Sequence, residues 1–377
     1  MRKLGMTIRQ WYTDPEIFQM EKKQIFDRTW QFVAHASEVP DIGSFVLAAI
    51  SDEPVIVVRG EDKKIRVFFN SCRHRGAFVT RELCGKQNSF RCPYHSFEYN
   101  LRGDLIEVPN PECYEEWFKK ENFGLVEVPR VEEFAGLVLA SLDPSIKPFS
   151  EYLDKARENF DYVCTDNGKA LEVIGKYSYT VQANWKLLVE NTVDGYHTPH
   201  VHGKMLRNNR NPGGTPPIAN TKDLGKHGLF ERYDTLSGSE VKGGRDRSNY
   251  LAIFPNILCI YAAAPDVNAL RIVKPLSVDS MEVLTYCLCK EGESEELRES
   301  KMKEFSGMWG PGGRFGTDDI ETLELAQMGL KARHGAEILL SAARHSEDQV
   351  EGNRGFEYSA RAFWRGWEEY MGLSIHD

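Results

Sequence analysis

The sequence predicts an α+β protein. It has a small antiparallel β domain inserted into, or followed by, a larger α+β domain whose antiparallel sheet is flanked by helices. Three observations predict this. Between 33 and 145 the chain is built of short β-branched or aromatic segments bounded by turn residues: "PVIVVRG", "IRVFFNSC", "SFRC", "GLVEVPRV" and "FAGLVLASL". Pro144 and Pro148 then lead into the helical "FSEYLDKARENF", which marks a boundary near 150. Beyond it, segments that alternate like strands ("LEVIGKYSYTVQAN", "SMEVLTYCLCK") mix with the helical "NWKLLVENTVDGYH".

The elements follow in order. Asp14 before Pro15 is a helix-start signal, a capping side chain followed by a residue whose missing N–H costs nothing in the first turn; it predicts a mostly helical segment to about Trp30. After the β domain, residues 203–248 are rich in Gly, Asn, Pro and charge without a clear period, and they predict long loops. In the C-terminal "FEYSARAFWRGWEEYMGL", Phe363, Trp364, Trp367, Tyr370 and Met371 fall on one helical face, a core-packing stripe.

Composition narrows the function classes. The 377 residues are 41% hydrophobic and 27% charged, as expected of a folded globular chain, and the net charge of −9 argues against nucleic acid as a partner. "MRKLGMTIRQWY" contains no apolar signal-peptide core, and "FAGLVLASL" is too short to span a bilayer. The expectation is a cytoplasmic protein without a membrane partner. Eight scattered cysteines in such a chain do not suggest a disulfide framework.

Four residues of the β domain form two tight pairs. "CRHRGAFVTRELCGKQNSFRCPYH" holds Cys72-x-His74 and, after seventeen intervening residues, Cys92-x2-His95. Cys84 lies between the loops and fits no ligand position. A structural Cys2His2 zinc site is one reading, but zinc fingers pair Cys with Cys and His with His. A Rieske [2Fe-2S] cluster requires each loop to supply one Cys and one His, because one iron takes two thiolates and the other two imidazoles.

An electron carrier needs little beyond that domain, yet more than half the chain follows it. There, "ENTVDGYHTPHVHGK" places His197, His200 and His202 close together. Two histidines and a carboxylate can hold non-haem Fe(II) with positions left open for reactants. On an ideal helix His197 and His200 share a face, whereas His197 and His202 lie about 140° apart. Pro199 disfavours helix at Thr198, so the helix is expected to end or kink there, and geometry alone leaves the choice of histidine open.

Taken together, the two motifs resemble the large (α) subunit of Rieske non-haem iron aromatic-ring-hydroxylating oxygenases, most closely the benzoate-type dioxygenases. The similarity also covers "RTWQFVAHASEVPDIGSF", "DLGKHG" and "GPGGRFGTDDIETLE". It implies a Rieske domain at 33–150, and a catalytic mononuclear-iron domain made of 1–32 and 151–377. The family pattern Asp-x2-His-x4-His maps onto Asp194, His197 and His202, leaving His200 in the spacer. The third iron ligand maps onto Asp319, with Asp318 as the fallback and Thr317 as the expected cap of their helix. Asp194 is implied to be an electron bridge between His197 and His95 of the partner subunit. Asn191 and Tyr196 are implied to lie near the site, and Phe315 to line the pocket. Arg207 and Arg210 read as solvated loop charges.

The implied function is a terminal oxygenase that hydroxylates an aromatic ring, in aromatic hydrocarbon catabolism. The reaction expected is cis-dihydroxylation of an aromatic acid with O2 and electrons from NAD(P)H, delivered through a reductase and/or ferredoxin. The implied cofactors are a [2Fe-2S] cluster and a mononuclear Fe(II). The implied assembly is a homotrimer, with or without a small β subunit. The chain is short for a dioxygenase α subunit, which keeps a Rieske monooxygenase or O/N-demethylase as the alternative. A non-catalytic Rieske electron carrier is the second alternative.

Overall fold

The computed structural model describes residues 8–203, 218–233, 247–263, 266–332, 334–335, 338–339, 351–353 and 357–373. Arg207 and Arg210 lie outside them. The chain divides into two compact units, residues 26–149 and the remainder on either side.

The smaller unit holds ten strands: β1 (Gln31–His35), β2 (Ser44–Ile50), β3 (Glu53–Arg59), β4 (Ile65–Phe69), β5 (Cys84–Lys86), β6 (Ser89–Arg91), β7 (Glu98–Asn100), β8 (Leu105–Glu107), β9 (Arg130–Phe134) and β10 (Leu137–Ser141). They form three antiparallel sheets, ordered β4-β3-β2-β5, β6-β7-β8 and β1-β10-β9. The expected strand at 124–131 is reduced to a single bridge, Phe68 to Glu127, before β9 begins at Arg130. Strand alternation gives the unit two cores. Ile56 and Val58 of β3 join Phe45, Phe68, Phe90 and Tyr99 around Cys72 and Cys92. Val55 and Val57 face the other way, with Val33, Val46 and Val138. Trp30 is fully buried in this unit; its Nε1 donates to the Lys147 carbonyl at 3.0 Å and its ring meets Phe149 edge-on.

In the larger unit, helices α1 (Gln10–Thr13) and α2 (Pro15–Glu21) open the chain. Asp14 Oδ1 accepts the Glu16 N–H at 2.8 Å, the cap that Asp-Pro predicts. After α3 (Phe149–Tyr152), which begins at the end of the smaller unit, and α4 (Arg157–Cys164), a two-residue hairpin, β11 (Thr165–Asp166) and β12 (Lys169–Ala170), leads into an eight-stranded antiparallel sheet. Its strands are β13 (Glu172–Val181), β14 (Ile218–Leu224), β15 (His227–Tyr233), β16 (Arg247–Ile253), β17 (Ile257–Ala262), β18 (Val267–Ser277), β19 (Ser280–Cys289) and β20 (Glu351–Asn353). β14 to β19 run as a meander; β13 adds beside β19, and β20 beside β14.

Two of these strands lie where loops were expected. β14 and β15 read as polar because they bury charge: Asp223 is held by Arg361 and Arg365, and Glu231 by Lys222 and Arg247. Buried ion pairs erase the polar–apolar alternation that marks a strand.

Among the described residues, the remaining α-helices are α5 (Trp185–Val193), α6 (Thr198–Val201), α7 (Glu295–Trp309), α8 (Gly316–Leu330) and α9 (Tyr358–Met371). α9 packs on β14 and β15 and buries Phe363, Trp364, Trp367 and Met371, with Tyr370 half-buried. Trp11 stacks on Trp367 at 5.0 Å. No described helix is long and apolar enough to cross a membrane.

Candidate metal centres

The first centre is built by two loops with the same backbone plan. In one, the Cys72 N–H donates to Ala77 O and the Gly76 N–H returns to Cys72 O; in the other, Cys92 N–H donates to Phe97 O and Ser96 N–H returns to Cys92 O, all at 2.8–3.0 Å. Both loops turn at a positive φ, 72° at Gly76 and 56° at Ser96. The result segregates donor types. The Cys72 and Cys92 thiols are adjacent, buried and not joined as a disulfide. The His74 and His95 rings lie together, with centroids 4.6 Å apart.

This donor set fits a Rieske cluster, which needs thiolates on one iron and imidazoles on the other. His74 Nδ1 is buried without a hydrogen-bond partner, as an atom reserved for a metal would be. Burial, followed by the neighbouring His95 and Arg75, pushes the His74 pKa down and favours the neutral ring that a metal requires. The Tyr99 hydroxyl meets Cys72 Sγ at 3.2 Å and accepts the Arg73 N–H at 3.0 Å. Cys84 sits apart, exposed in β5.

The second centre depends on how α5 and α8 are anchored. Asn184 caps α5 by accepting the Lys186 N–H, and its Nδ2 donates to Tyr12 O and Val278 O. Gln327 of α8 donates to the same Tyr12 carbonyl and accepts the Asn184 N–H at 2.9 Å. The two helices therefore share one reference point. Beneath it, Lys186 Nζ and Glu21 Oε1 form a fully buried ion pair at 2.6 Å. Burial lowers the Lys186 pKa, and Glu21 counters the shift. Glu21 also accepts from the Trp185 and Trp367 indoles. Removing one member of such a pair costs about 3–5 kcal/mol, because it strands a buried charge.

The opening of α6 departs from expectation. α5 ends at Val193, before Asp194, rather than at Thr198. Just beyond it, a Cβ at Gly195 would come within 2.3 Å of the Phe230 ring, so the chain passes β15 where only glycine fits. Pro199 does not end a helix but stands in the first turn of α6, where its missing N–H costs nothing. His197 enters α6 and His202 leaves it.

Three ligand atoms converge there. One atom each from His197, His202 and Asp319 lies within 4.8 Å of the other two. His202 Nε2 is 3.1 Å and His197 Nε2 3.7 Å from Asp319 Oδ1. His202 is 4% exposed, whereas His200 is exposed and packs on Tyr196. Each ligand imidazole is also held from behind. Asp194 Oδ2 is 3.2 Å from His197 Nδ1, and Asp318 Oδ2 is 3.3 Å from His202 Nδ1. Asp194 is itself fixed by accepting the Tyr196 N–H at 2.6 Å. For His202, burial alone would lower the pKa; Asp319 and then Asp318 outweigh it and raise the value.

The other expected residues fall as follows. Asn191 Nδ2 donates to Asp319 Oδ1 at 3.4 Å. The Phe315 ring stands edge-on against His202 at 5.0 Å. The Tyr196 side chain is half-exposed and faces His200 rather than the three ligand atoms. Thr317 does not cap α8: the helix starts at Gly316, and the Thr317 hydroxyl bonds back to Gly313 O at 2.9 Å. The N-cap position falls at Phe315, which has no capping oxygen, and Thr317 is already inside the helix.

Sequence reasoning treated Asp318 only as a substitute ligand. Its neighbour suggested more: consecutive helix residues point about 100° apart, so adjacent aspartates can meet the two nitrogens of one ring.

Comparison with known proteins places these features in a family. The description "Ring hydroxylating alpha subunit (catalytic domain)" matches residues 169–371, and "Rieske [2Fe-2S] domain" matches residues 29–130. The chain is 30% identical to the α subunit of 2-aminobenzenesulfonate 2,3-dioxygenase from Alcaligenes sp, covering 96% of this chain and 92% of the relative. It is 29% identical to the large subunit of 2-halobenzoate 1,2-dioxygenase from Burkholderia cepacia, covering 86% and 77%. Naphthalene 1,2-dioxygenase from Rhodococcus sp., solved with indole bound, superposes with a TM-score of 0.85 at 26% identity, covering 96% of this chain and 93% of that one.

Proposed function

The chain belongs to the ring-hydroxylating oxygenase α subunits, and from that premise we propose that it is the terminal oxygenase for cis-dihydroxylation of an aromatic acid. Ring hydroxylation with O2 and reductase-derived electrons is the family's activity. The acid is the finer part of the proposal; it is supported by relatives that act on halobenzoate, toluate, anthranilate and aminobenzenesulfonate.

One observation carries the reading: His197, His202 and Asp319 present one ligand atom each to a common point. In our assignment these three hold Fe(II), and Cys72, Cys92, His74 and His95 hold the [2Fe-2S] cluster. When bound, the cluster supplies single electrons, and the iron supplies the site at which O2 is turned on the ring.

The chain's own residues do the rest. Asp194 and Asp318 each keep a proton on the Nδ1 they face, which directs the Nε2 lone pairs of His197 and His202 toward Asp319. Asn191 steadies the Asp319 oxygen that both histidines face. Phe315 fixes the His202 ring and supplies apolar surface beside it. Asp194 retains 18% side-chain exposure, so a donor from outside the unit can still reach it. This supports its assignment as the link to His95 of the partner subunit. That role requires a ring of subunits, and we assign a homotrimer, with or without a small β subunit; mass by light scattering tests it.

The deciding experiment is product analysis under isotopically labelled O2. A cis-diol carrying two labelled atoms is expected. A product with one labelled atom, or loss of a methyl group as an aldehyde, would assign the chain to monooxygenation or demethylation. A purified protein with only two irons per chain would make it an electron carrier.

A further inference from the structure

One row of polar side chains in the larger unit has no task in the reading so far. Cross-strand register sets Tyr177 of β13 opposite Thr285 of β19, and Thr285 opposite Arg271 of β18, so the three rise from the same face of the sheet. The next row, Cys287 and Ala269, belongs to an apolar cluster with Ile260, Phe305 and Trp309 that extends to Phe315. Phe315 in turn lies against His202. The polar row thus interrupts an apolar face that leads to the three metal ligands.

Arg271 is 5% exposed. It donates through Nη2 to the Tyr179 hydroxyl, a neutral partner that does not itself offset the guanidinium charge. Its Nε is buried without a hydrogen-bond partner, and the buried Tyr177 and Thr285 hydroxyls have only each other. Native proteins rarely leave buried polar groups so poorly satisfied, and a guanidinium nitrogen with two hydroxyls on one row can serve a shared acceptor. Asp319 is among the charges acting on Arg271, so the guanidinium lies within electrostatic reach of the metal ligands.

We propose that Arg271, flanked by the hydroxyls of Tyr177 and Thr285, anchors the acidic group of an anionic aromatic substrate. The group is a carboxylate or sulfonate, and its ring extends along the apolar face toward Phe315 and the metal ligands. The proposal rests on the aromatic-acid reading above and assigns the residues that select the acid. The chemistry matches: a guanidinium offers a planar fork of donors, and each hydroxyl can rotate its proton toward an anionic oxygen. Selectivity follows from the same geometry. A neutral ring would occupy the apolar face but leave the buried donors unpaired, and such mismatches discriminate strongly.

The test is isothermal titration of the holoenzyme, without reductant, with benzoate, benzenesulfonate and the neutral isostere benzamide. Wild-type protein is expected to bind both anions more tightly than benzamide. Arg271→Gln should weaken the anions on the order of tenfold to a hundredfold and change benzamide little, with partial recovery in Arg271→Lys. Tyr177→Phe keeps its ring in the cluster and should weaken the anions alone, which preserves the test if Arg271→Gln fails to fold. Equal weakening of all three ligands, or a wild-type protein that does not prefer the anions, overturns the anchor. Iron content separates this from failure of the oxygenase reading: three irons per chain with no anion preference removes only the anchor, whereas two irons per chain removes the reading beneath it.

Discussion

His202 and Asp319 face each other, Nε2 to Oδ1, at 3.1 Å, although 116 residues separate them in sequence. His200, two positions earlier, is exposed and turned to Tyr196. His202→Ala is therefore expected to lose the mononuclear iron and keep the cluster, and His200→Ala to keep both. Iron analysis together with the visible spectrum of the cluster checks this; the reverse pattern would make His200 the ligand.

Asp318 backs His202 from the Nδ1 side. Asp318→Asn keeps the size of the side chain but removes the charge that favours the required ring tautomer. Iron affinity should fall by about tenfold to a hundredfold, the usual effect of losing a hydrogen-bond partner behind a metal ligand. Competition with a chelator measures it, and an unchanged affinity would reduce Asp318 to a surface carboxylate.

Asp194 is fixed by the Tyr196 N–H and faces His197 Nδ1. With iron supplied in excess, Asp194→Asn should retain cluster and iron, yet slow oxidation of the reduced cluster by about tenfold or more in a single turnover followed by stopped flow. Normal cluster oxidation in this variant would remove Asp194 from the electron route.

Glu190, on α5, accepts from the Tyr12 hydroxyl and the Trp364 indole. Burial raises its pKa from 4.5 to about 7, despite these bonds and nearby Lys186. A carboxyl with a raised folded-state pKa holds its proton more tightly when folded. Its stabilising contribution is complete below its unfolded pKa and is lost as pH rises through the folded value. Glu190→Gln should therefore stabilise the protein in mildly alkaline buffer relative to wild type, by at most about 3 kcal/mol and less because the residue keeps some exposure. The gain should shrink in acid. Thermal melts across this range decide it; a gain that does not vary with pH would mean that Glu190 is not protonated on folding.

What could be read from the chain depended on range. That Cys72, His74, Cys92 and His95 come together was legible because each Cys-His loop is a local device, with its spacing and turn residues within a few positions. The C-terminal aromatic stripe was legible because helix period is local too. β14 and β15 were not, since Asp223 and Glu231 owe their burial to partners on other elements. Near the end of α5, Pro199 was visible, but the Phe230 ring that forbids a side chain at Gly195 was not. Arg271 carried no signal at all, because one charged residue in "NALRIVK" looks like the solvent side of a strand.

The Tyr12 carbonyl takes hydrogen bonds from both Asn184 and Gln327. During synthesis these three residues emerge in turn, separated by most of the protein's length. Residues 26–149 leave the ribosome with both of their Cys-His loops complete. The N-terminal segment, by contrast, meets Asn184 and Lys186 of α5 first and gains Gln327 only when α8 appears. Both Cys-His loops are thereby complete before Asp319 is made, and His197, His202 and Asp319 can converge only near the end of translation.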